Sequence, residues 1–121
     1  MEVGIGHHGE PGVEVCALES AVQMAKRMVS MVVPDYPFRA GDEVVVLVSG
    51  LGATPLMELY VLYDEIDHLL TKEGIQIHRA YVGNYFTSLE MMGATLTVMK
   101  LDQELKELID APCNSMGFRQ I

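Results

Sequence analysis

A continuous apolar run at residues 44–48 leads into a turn and a well-marked helix start, and this pair of features most constrains the fold. A short apolar run bounded by turn residues is typical of a strand buried on both faces. Thr54 can cap the helix that follows, Pro55 suits its first position, and Glu58 suits its first turn. Gly74 is placed to end the helix. These residues predict a buried strand joined to a helix.

The rest of the chain alternates between strand and helix patterns. We predict strands at residues 1–6, 75–82 and 96–101, and helices at residues 17–33 and 102–109. Residues 87–90 have the spacing of a capping box, which predicts a single helical turn ended by Gly93. Alternating strands and helices in one unit indicate a single domain of the α/β class over residues 1–121.

Composition and charge narrow the classes of function. The formal net charge of −9 disfavours binding to nucleic acids or anionic membranes, because both require clustered Lys and Arg. No apolar run is long enough to span a bilayer, and there is no secretory signal pattern. The cysteines, Cys16 and Cys113, are too few for a disulfide framework. They predict reduced thiols in a cytoplasmic protein.

A histidine pair, His7 and His8, lies where a short apolar segment breaks into a turn rich in glycine and proline. Flanking glycines let the backbone turn sharply and leave room for a ligand. A neutral imidazole has a lone pair that can attack an electrophilic carbonyl carbon, and histidine is a known covalent nucleophile. The spacing alone also fits an ordinary loop with two solvent-exposed histidines.

Metal and nucleotide sites have weaker support. The histidine pair and Glu10 lack the helical spacing that brings two metal ligands to one face, so we expect no metal, and Glu10 should cap or solvate the turn. Residues 50–55 lack the Gly-Lys-Ser/Thr ending of a phosphate-binding loop and the third glycine of a dinucleotide-binding turn. We therefore expect no cofactor in this chain. The amides of this turn could hold an anion, but such a turn more often only joins a strand to a helix.

Other polar residues have ordinary structural explanations. His68 and His78 are predicted to be surface or satisfied core residues, with no partners evident from the sequence. Tyr85, Thr87 and Ser88 follow a strand and could line a ligand cavity, although capping of a short turn is the favoured explanation.

Four sequence blocks extend through nearly the whole chain, namely residues 6–12 (GHHGEPG), 51–60 (LGATPL with ELY), 87–93 (TSLEM with Gly93) and 110–112 (DAP). In this order they resemble dihydroxyacetone kinases, in their dihydroxyacetone-binding subunit or domain. The resemblance implies a two-layer α/β domain with a mixed β-sheet covered by helices, like a DegV-like second domain. It further implies that this chain is the C-terminal part of the subunit and that a larger N-terminal domain is absent from it.

The resemblance also implies roles for individual residues. In the family, the histidine directly before Gly-Glu-Pro-Gly forms a reversible hemiaminal with the ketone carbon of dihydroxyacetone, and His8 occupies that position. His7 lies where the family often has an apolar residue. Adjacent side chains on an extended backbone point to opposite faces, so only one of the two histidines can meet the ligand. Secondary candidates for substrate binding are His7, Gly9 and Ser88.

Partners of the family lie outside this chain. The proton-accepting group belongs to the N-terminal domain, and the phosphate donor, ATP or a nucleotide-bound partner subunit, is held elsewhere. Such proteins are usually cytosolic homodimers. Two functions stay open: the substrate-binding part of a phosphotransferase, inactive as an isolated fragment, and a dihydroxyacetone-binding co-activator or a ligand-binding or dimerisation module.

Overall fold

The central strand of the protein, β3, pairs in parallel with one neighbour and in antiparallel with the other. The computed structural model describes residues 1–121. Its strands are β1 (Glu2–Val3), β2 (Glu14–Val15), β3 (Glu43–Gly52), β4 (Gln76–Gly83), β5 (Met92–Leu101), β6 (Cys113–Asn114) and β7 (Arg119–Gln120), and its helices are α1 (Ala21–Val32), α2 (Leu56–Lys72) and α3 (Gln103–Asp110). A short 3₁₀ turn, Val33–Asp35, follows α1. The main sheet has the order β4-β3-β5, so the predicted α/β class with a mixed sheet is confirmed.

One face of this sheet carries the core. Alternate residues of β3 (Val44, Val46 and Val48) are fully buried, because side chains of a strand alternate between its two faces. They pack against apolar residues of α1, α2 and the start of β4, which are Ala25, Val29, Leu59, Leu62, Ile66, Leu70 and Ile75. Burial of each large aliphatic side chain contributes roughly 1.5–3 kcal/mol. The core therefore fixes both long helices on the same side of the sheet.

The second face of the sheet is less covered than the sequence predicts. Leu47 and its neighbour Tyr81 on β4 lie beneath Phe118, which belongs to the C-terminal hairpin formed by β6 and β7. A cavity of about 400 Å³ opens there, lined by Leu47, Tyr81, Tyr85, Ser115, Gly117 and Phe118. The prediction that β3 is buried on both faces is confirmed except at Leu47, since Val45, Ser49 and Leu51 on the second face are buried.

Three local predictions differ from the structure. The strand expected at residues 1–6 is limited to Glu2–Val3. Helix α2 has Pro55 as its N-cap with no side-chain cap, because the Thr54 hydroxyl donates instead to the carbonyl of Gly93, at 2.8 Å. The helical turn predicted at residues 87–90 is wrong.

None of the helices is long and apolar enough to cross a bilayer.

Candidate functional site

A β-hairpin presents the histidine pair. Strands β1 and β2 pair in antiparallel, with Glu2 opposite Val15, and enclose residues 4–12, called here the histidine loop. Two of its glycines, Gly4 and Gly9, have φ of +73° and +88°, a conformation that other residues rarely adopt. The Glu2 carboxylate accepts the backbone N–H of residue 12 at 2.8 Å. These contacts close the loop into a sharp turn.

Arg27 connects this hairpin to the rest of the domain. Its guanidinium, on α1, pairs with Glu14 of β2 at 2.7 Å and with Glu19 ahead of the helix. The hydrogen bond from Arg27 is the main reason that the pKa of Glu19 lies below its ordinary value. The pairing across two elements holds the hairpin beside the start of α1.

His8 points into solvent, with 91% of its side chain exposed. Its backbone N–H donates to Glu10 Oε2 at 3.1 Å, and its ring Nδ1 lies 3.9 Å from Glu10 Oε1. A Cβ at Gly6 would stand 1.9 Å from the same Oε2, so only glycine leaves room for the folded-back carboxylate. Glu10 therefore caps the turn, as the sequence predicts.

His7 points the opposite way, toward the domain. Its ring meets that of Phe86 edge to face, with centroids 4.1 Å apart and planes at 84°. Such a pair contributes about 0.5–1.5 kcal/mol beyond the area that it buries. Phe86 belongs to residues 84–91, called here the anchor loop, which joins β4 to β5. The two histidines thus have different contacts, His7 with Phe86 and His8 with Glu10, and both are solvent-exposed.

The anchor loop is itself held by Ser49, a fully buried residue of β3. Ser49 Oγ accepts the backbone N–H groups of Tyr85 and Phe86, both at 3.0 Å, and donates to the Phe86 carbonyl at 3.1 Å. Thr87 Oγ1 accepts the N–H of Gly52 at 2.8 Å. The central strand thus fixes the loop on which His7 packs. Sequence reasoning missed Ser49, whose signal is one hydroxyl at the end of an apolar run.

The position of the site in the sheet is informative. β3 and β4 are parallel, and both the anchor loop and the turn before α2 leave their carboxyl ends. Open α/β sheets usually bind ligands just outside the carboxyl ends of their strands. Through its contact with Phe86, His7 brings the histidine loop to this edge.

The secondary candidates have different surroundings. Gly9 is at the exposed turn, with no atom within 4 Å of the position of a Cβ. Ser88 Oγ is buried without a hydrogen-bond partner, a condition that costs about 1–3 kcal/mol, and it forms no hydrogen bond to either histidine. Tyr85 lines the cavity on the second sheet face, and no histidine lines that cavity.

A second polar cluster joins β4 to the end of α3. His78 Nε2 and Arg79 Nε contact the two oxygens of Asp110, each at 2.8 Å. The hydrogen bond from His78, followed by that from Arg79, holds the pKa of Asp110 below its ordinary value. His78 is therefore a satisfied residue, one of the two alternatives predicted, and its partners were not evident from the sequence. These partners are distant in sequence and belong to other elements.

The fold and the site together define a class: an α/β domain that displays a pair of exposed histidines near the carboxyl edge of a mixed sheet. The family model described as the Dak1 domain matches residues 1–117. The chain belongs to the Dak1 domain family.

Relatives of known name support this assignment. The chain is 41% identical over 119 residues to the dihydroxyacetone-binding subunit DhaK of PTS-dependent dihydroxyacetone kinase 2 from Listeria innocua, covering 98% of this chain and 36% of that protein. It is 38% identical to a D-erythrulose kinase from Mycolicibacterium smegmatis, covering 99% of this chain and 21% of the relative. The chain thus spans about a third or less of the length of these relatives.

A solved structure has the same fold. The dihydroxyacetone kinase operon co-activator Dha-DhaQ superposes with a TM-score of 0.82 at 34% identity, over 90% of this chain and 34% of that one. Kinase subunits and a co-activator therefore share this domain.

Proposed function

We propose that this chain is the substrate-binding part of a dihydroxyacetone kinase, which holds dihydroxyacetone as a covalent hemiaminal on His8. The observation that carries the proposal is the exposed His8 imidazole, on a hairpin held at the carboxyl edge of the sheet. A ketone can approach this ring from solvent without displacing any protein group. The DhaK name of the Listeria innocua relative, at 41% identity, supports the same substrate.

The chemistry requires only a neutral imidazole and a ketone. The lone pair of a ring nitrogen adds to the carbonyl carbon, the carbonyl π electrons move to oxygen, and that oxygen gains a proton as the other ring nitrogen loses one. Glycerol has the hydroxyls but no carbonyl and cannot form this bond, so the linkage separates two molecules that hydroxyl contacts alone distinguish poorly. The bond also holds the substrate hydroxyl in position for phosphoryl transfer.

The remaining parts of the reaction are proposed to lie outside residues 1–121. In this proposal the chain is the C-terminal domain, and an N-terminal domain supplies the group that accepts the hydroxyl proton. A separate subunit or domain holds the phosphate donor, and the subunit is a cytoplasmic homodimer. The short coverage of the relatives, 36% for the Listeria innocua subunit, leaves room for such a further domain.

A second candidate is a non-catalytic dihydroxyacetone-binding regulator. The structural similarity to the co-activator Dha-DhaQ supports this regulator as strongly as the fold supports a kinase. The hemiaminal histidine is expected in both, so His8 does not separate the two functions. Turnover does.

Native mass spectrometry of the intact subunit tests the binding step. Dihydroxyacetone should raise the mass of the subunit by one ligand, and glycerol, the control ligand, should not. The adduct should be lost in His8→Ala and retained in His7→Ala. A wild-type subunit that gains no mass, or a His8→Ala variant that still does, would refute the proposal.

The kinase function needs a second assay. The intact subunit and its phosphate-donor partner should form dihydroxyacetone phosphate, and His8→Ala should not support this turnover. Adduct formation without turnover, measured with a donor partner that is active on a known DhaK subunit, would favour the regulator.

A further inference from the structure

We propose that Glu10 is a positioning residue that sets the tautomer of His8, keeping the ring proton on Nδ1 and leaving Nε2 free to add to a ketone. This inference rests on the proposed function of His8 and adds a second residue to the same site. Glu10 touches neither substrate nor reacting atom, and it acts only through the imidazole.

One carboxylate contacts His8 at two points. Oε2 accepts the backbone N–H of His8 at 3.1 Å, and Oε1 lies 3.9 Å from Nδ1 of the ring. The first contact fixes the backbone from which the ring projects, and the second places negative charge beside one ring nitrogen only. At 3.9 Å the second contact is electrostatic and too long for a hydrogen bond.

The local backbone is arranged around this carboxylate. Gly6 donates its N–H to the backbone carbonyl of Glu10 at 3.0 Å, and its missing Cβ leaves the space that the carboxylate occupies. The His8 ring lies beside the Glu10 carboxylate, and no lysine or arginine pairs with that carboxylate. The charge of Glu10 is therefore directed at His8 rather than neutralised by a cation.

The charge of Glu10 affects which ring nitrogen of His8 carries the proton. The hydrogen bond or charge at one ring nitrogen determines which nitrogen of a histidine carries the proton. With a carboxylate beside Nδ1, the Nδ1–H tautomer is favoured and the lone pair resides on Nε2. As Nε2 forms the bond to carbon, the ring gains positive charge, which the carboxylate stabilises until Nδ1 releases its proton and the substrate oxygen gains one.

The test uses Glu10→Gln in the intact subunit. Glutamine keeps an oxygen that can accept the His8 N–H and removes the charge. Glu2→Gln is the matched control, since it removes the charge of the neighbouring carboxylate, which bonds the same loop through residue 12 and touches no imidazole. Long-range ¹H–¹⁵N spectra of ¹⁵N-histidine protein report the tautomer of His8, and His8→Ala identifies its signals.

The wild type and Glu2→Gln should show the Nδ1–H tautomer, and Glu10→Gln should shift His8 toward Nε2–H. Adduct formation with dihydroxyacetone should weaken about threefold in Glu10→Gln, the size of effect expected for an exposed charge pair. A wild-type His8 protonated on Nε2, or a Glu10→Gln variant with unchanged tautomer and adduct, would overturn this inference. A wild type with the Nδ1–H tautomer and no adduct would instead contradict the proposed function.

Discussion

At the scale of single residues, the site depends on two neighbouring exposed histidines with different contacts. His7 is packed against Phe86, whereas His8 has 91% of its side chain exposed. The packed ring holds the loop in place, and the exposed ring is available to a ligand. Ser49 supports this contact, because its hydroxyl forms hydrogen bonds with the backbone of Phe86.

Ser49→Ala should destabilise the domain by about 1–3 kcal/mol, because it leaves two partly buried N–H groups without their acceptor. Urea unfolding followed by circular dichroism measures the free energy of unfolding. Thr97→Ala is the control, since Thr97 is exposed on the adjacent strand β5, and it should change stability by less than about 0.5 kcal/mol. Equal effects of the two substitutions would contradict the role given to Ser49.

Gly52 tests how closely the anchor loop approaches the end of β3. Gly52 has φ of +67°, and a Cβ there would stand 2.0 Å from the carbonyl oxygen of Met91. Gly41 has φ of +91° with nothing within 4 Å, so Gly41→Ala should incur only backbone strain, about 1–2 kcal/mol. Gly52→Ala should lower the free energy of unfolding by clearly more. A smaller loss in Gly52→Ala than in Gly41→Ala would argue against this close approach.

At the scale of elements, regular periodicity is what the sequence predicts well. The apolar run of β3, the spacing of α2 and the Asp102 cap of α3 all give the right elements, because each depends on contacts within a few residues. Contacts between segments that are distant in sequence are not predicted by such local patterns. Thr87, read as a helix cap, bonds Gly52 instead, 35 residues away.

The C-terminal hairpin and the partners of His78 were beyond prediction for the same reason. Strands β6 and β7 have two residues each, too few for any period to be visible. The Asp110 carboxylate that bonds His78 is 32 residues away in sequence. The histidine loop was accessible to sequence reasoning because its glycines and histidines are contiguous, whereas the anchor loop that supports it is recognisable only in three dimensions.

The pairing of β4 with α3 predicts a dependence of stability on pH. The folded protein holds the pKa of Asp110 below the ordinary value of 3.8, so the stabilisation is complete above that value and is lost as the pH falls through the lowered pKa. The urea midpoint of the wild type should therefore fall at acidic pH, and Asp110→Asn should show a smaller fall. Asp35→Asn, at an exposed carboxylate outside the ion pairs, is the control and should behave like the wild type. An unchanged acid dependence in Asp110→Asn would refute the assignment.

At the scale of the whole molecule, much apolar surface remains uncovered. Helices α1 and α2 cover one face of the sheet, and the other is contacted by the C-terminal hairpin and the end of α3. The following large apolar side chains are more than half exposed: Val13, Val15, Leu18, Leu56, Met57, Tyr60, Val61, Phe86, Leu89, Met92, Leu108, Met116 and Ile121. These side chains are available for packing against another domain or another copy of the chain.

The homodimer proposed above predicts that part of this surface is buried between two copies of the intact subunit. Light scattering coupled to size-exclusion chromatography should give twice the mass of one subunit, with little change at high salt because the contacts are apolar. A mass of one subunit across the accessible concentration range would contradict the dimer and leave the role of His8 untouched.

The central claim is a bond between one ring nitrogen of His8 and the ketone carbon of dihydroxyacetone. The most direct measurement is the NMR spectrum of [2-¹³C]dihydroxyacetone bound to the intact subunit labelled with ¹⁵N-histidine. The account predicts that the ketone carbon moves into the range of saturated carbon and shows a one-bond coupling to ¹⁵N, which is lost in His8→Ala and kept in His7→Ala. A bound carbon that stays in the carbonyl range, or a coupling that survives in His8→Ala, would contradict it.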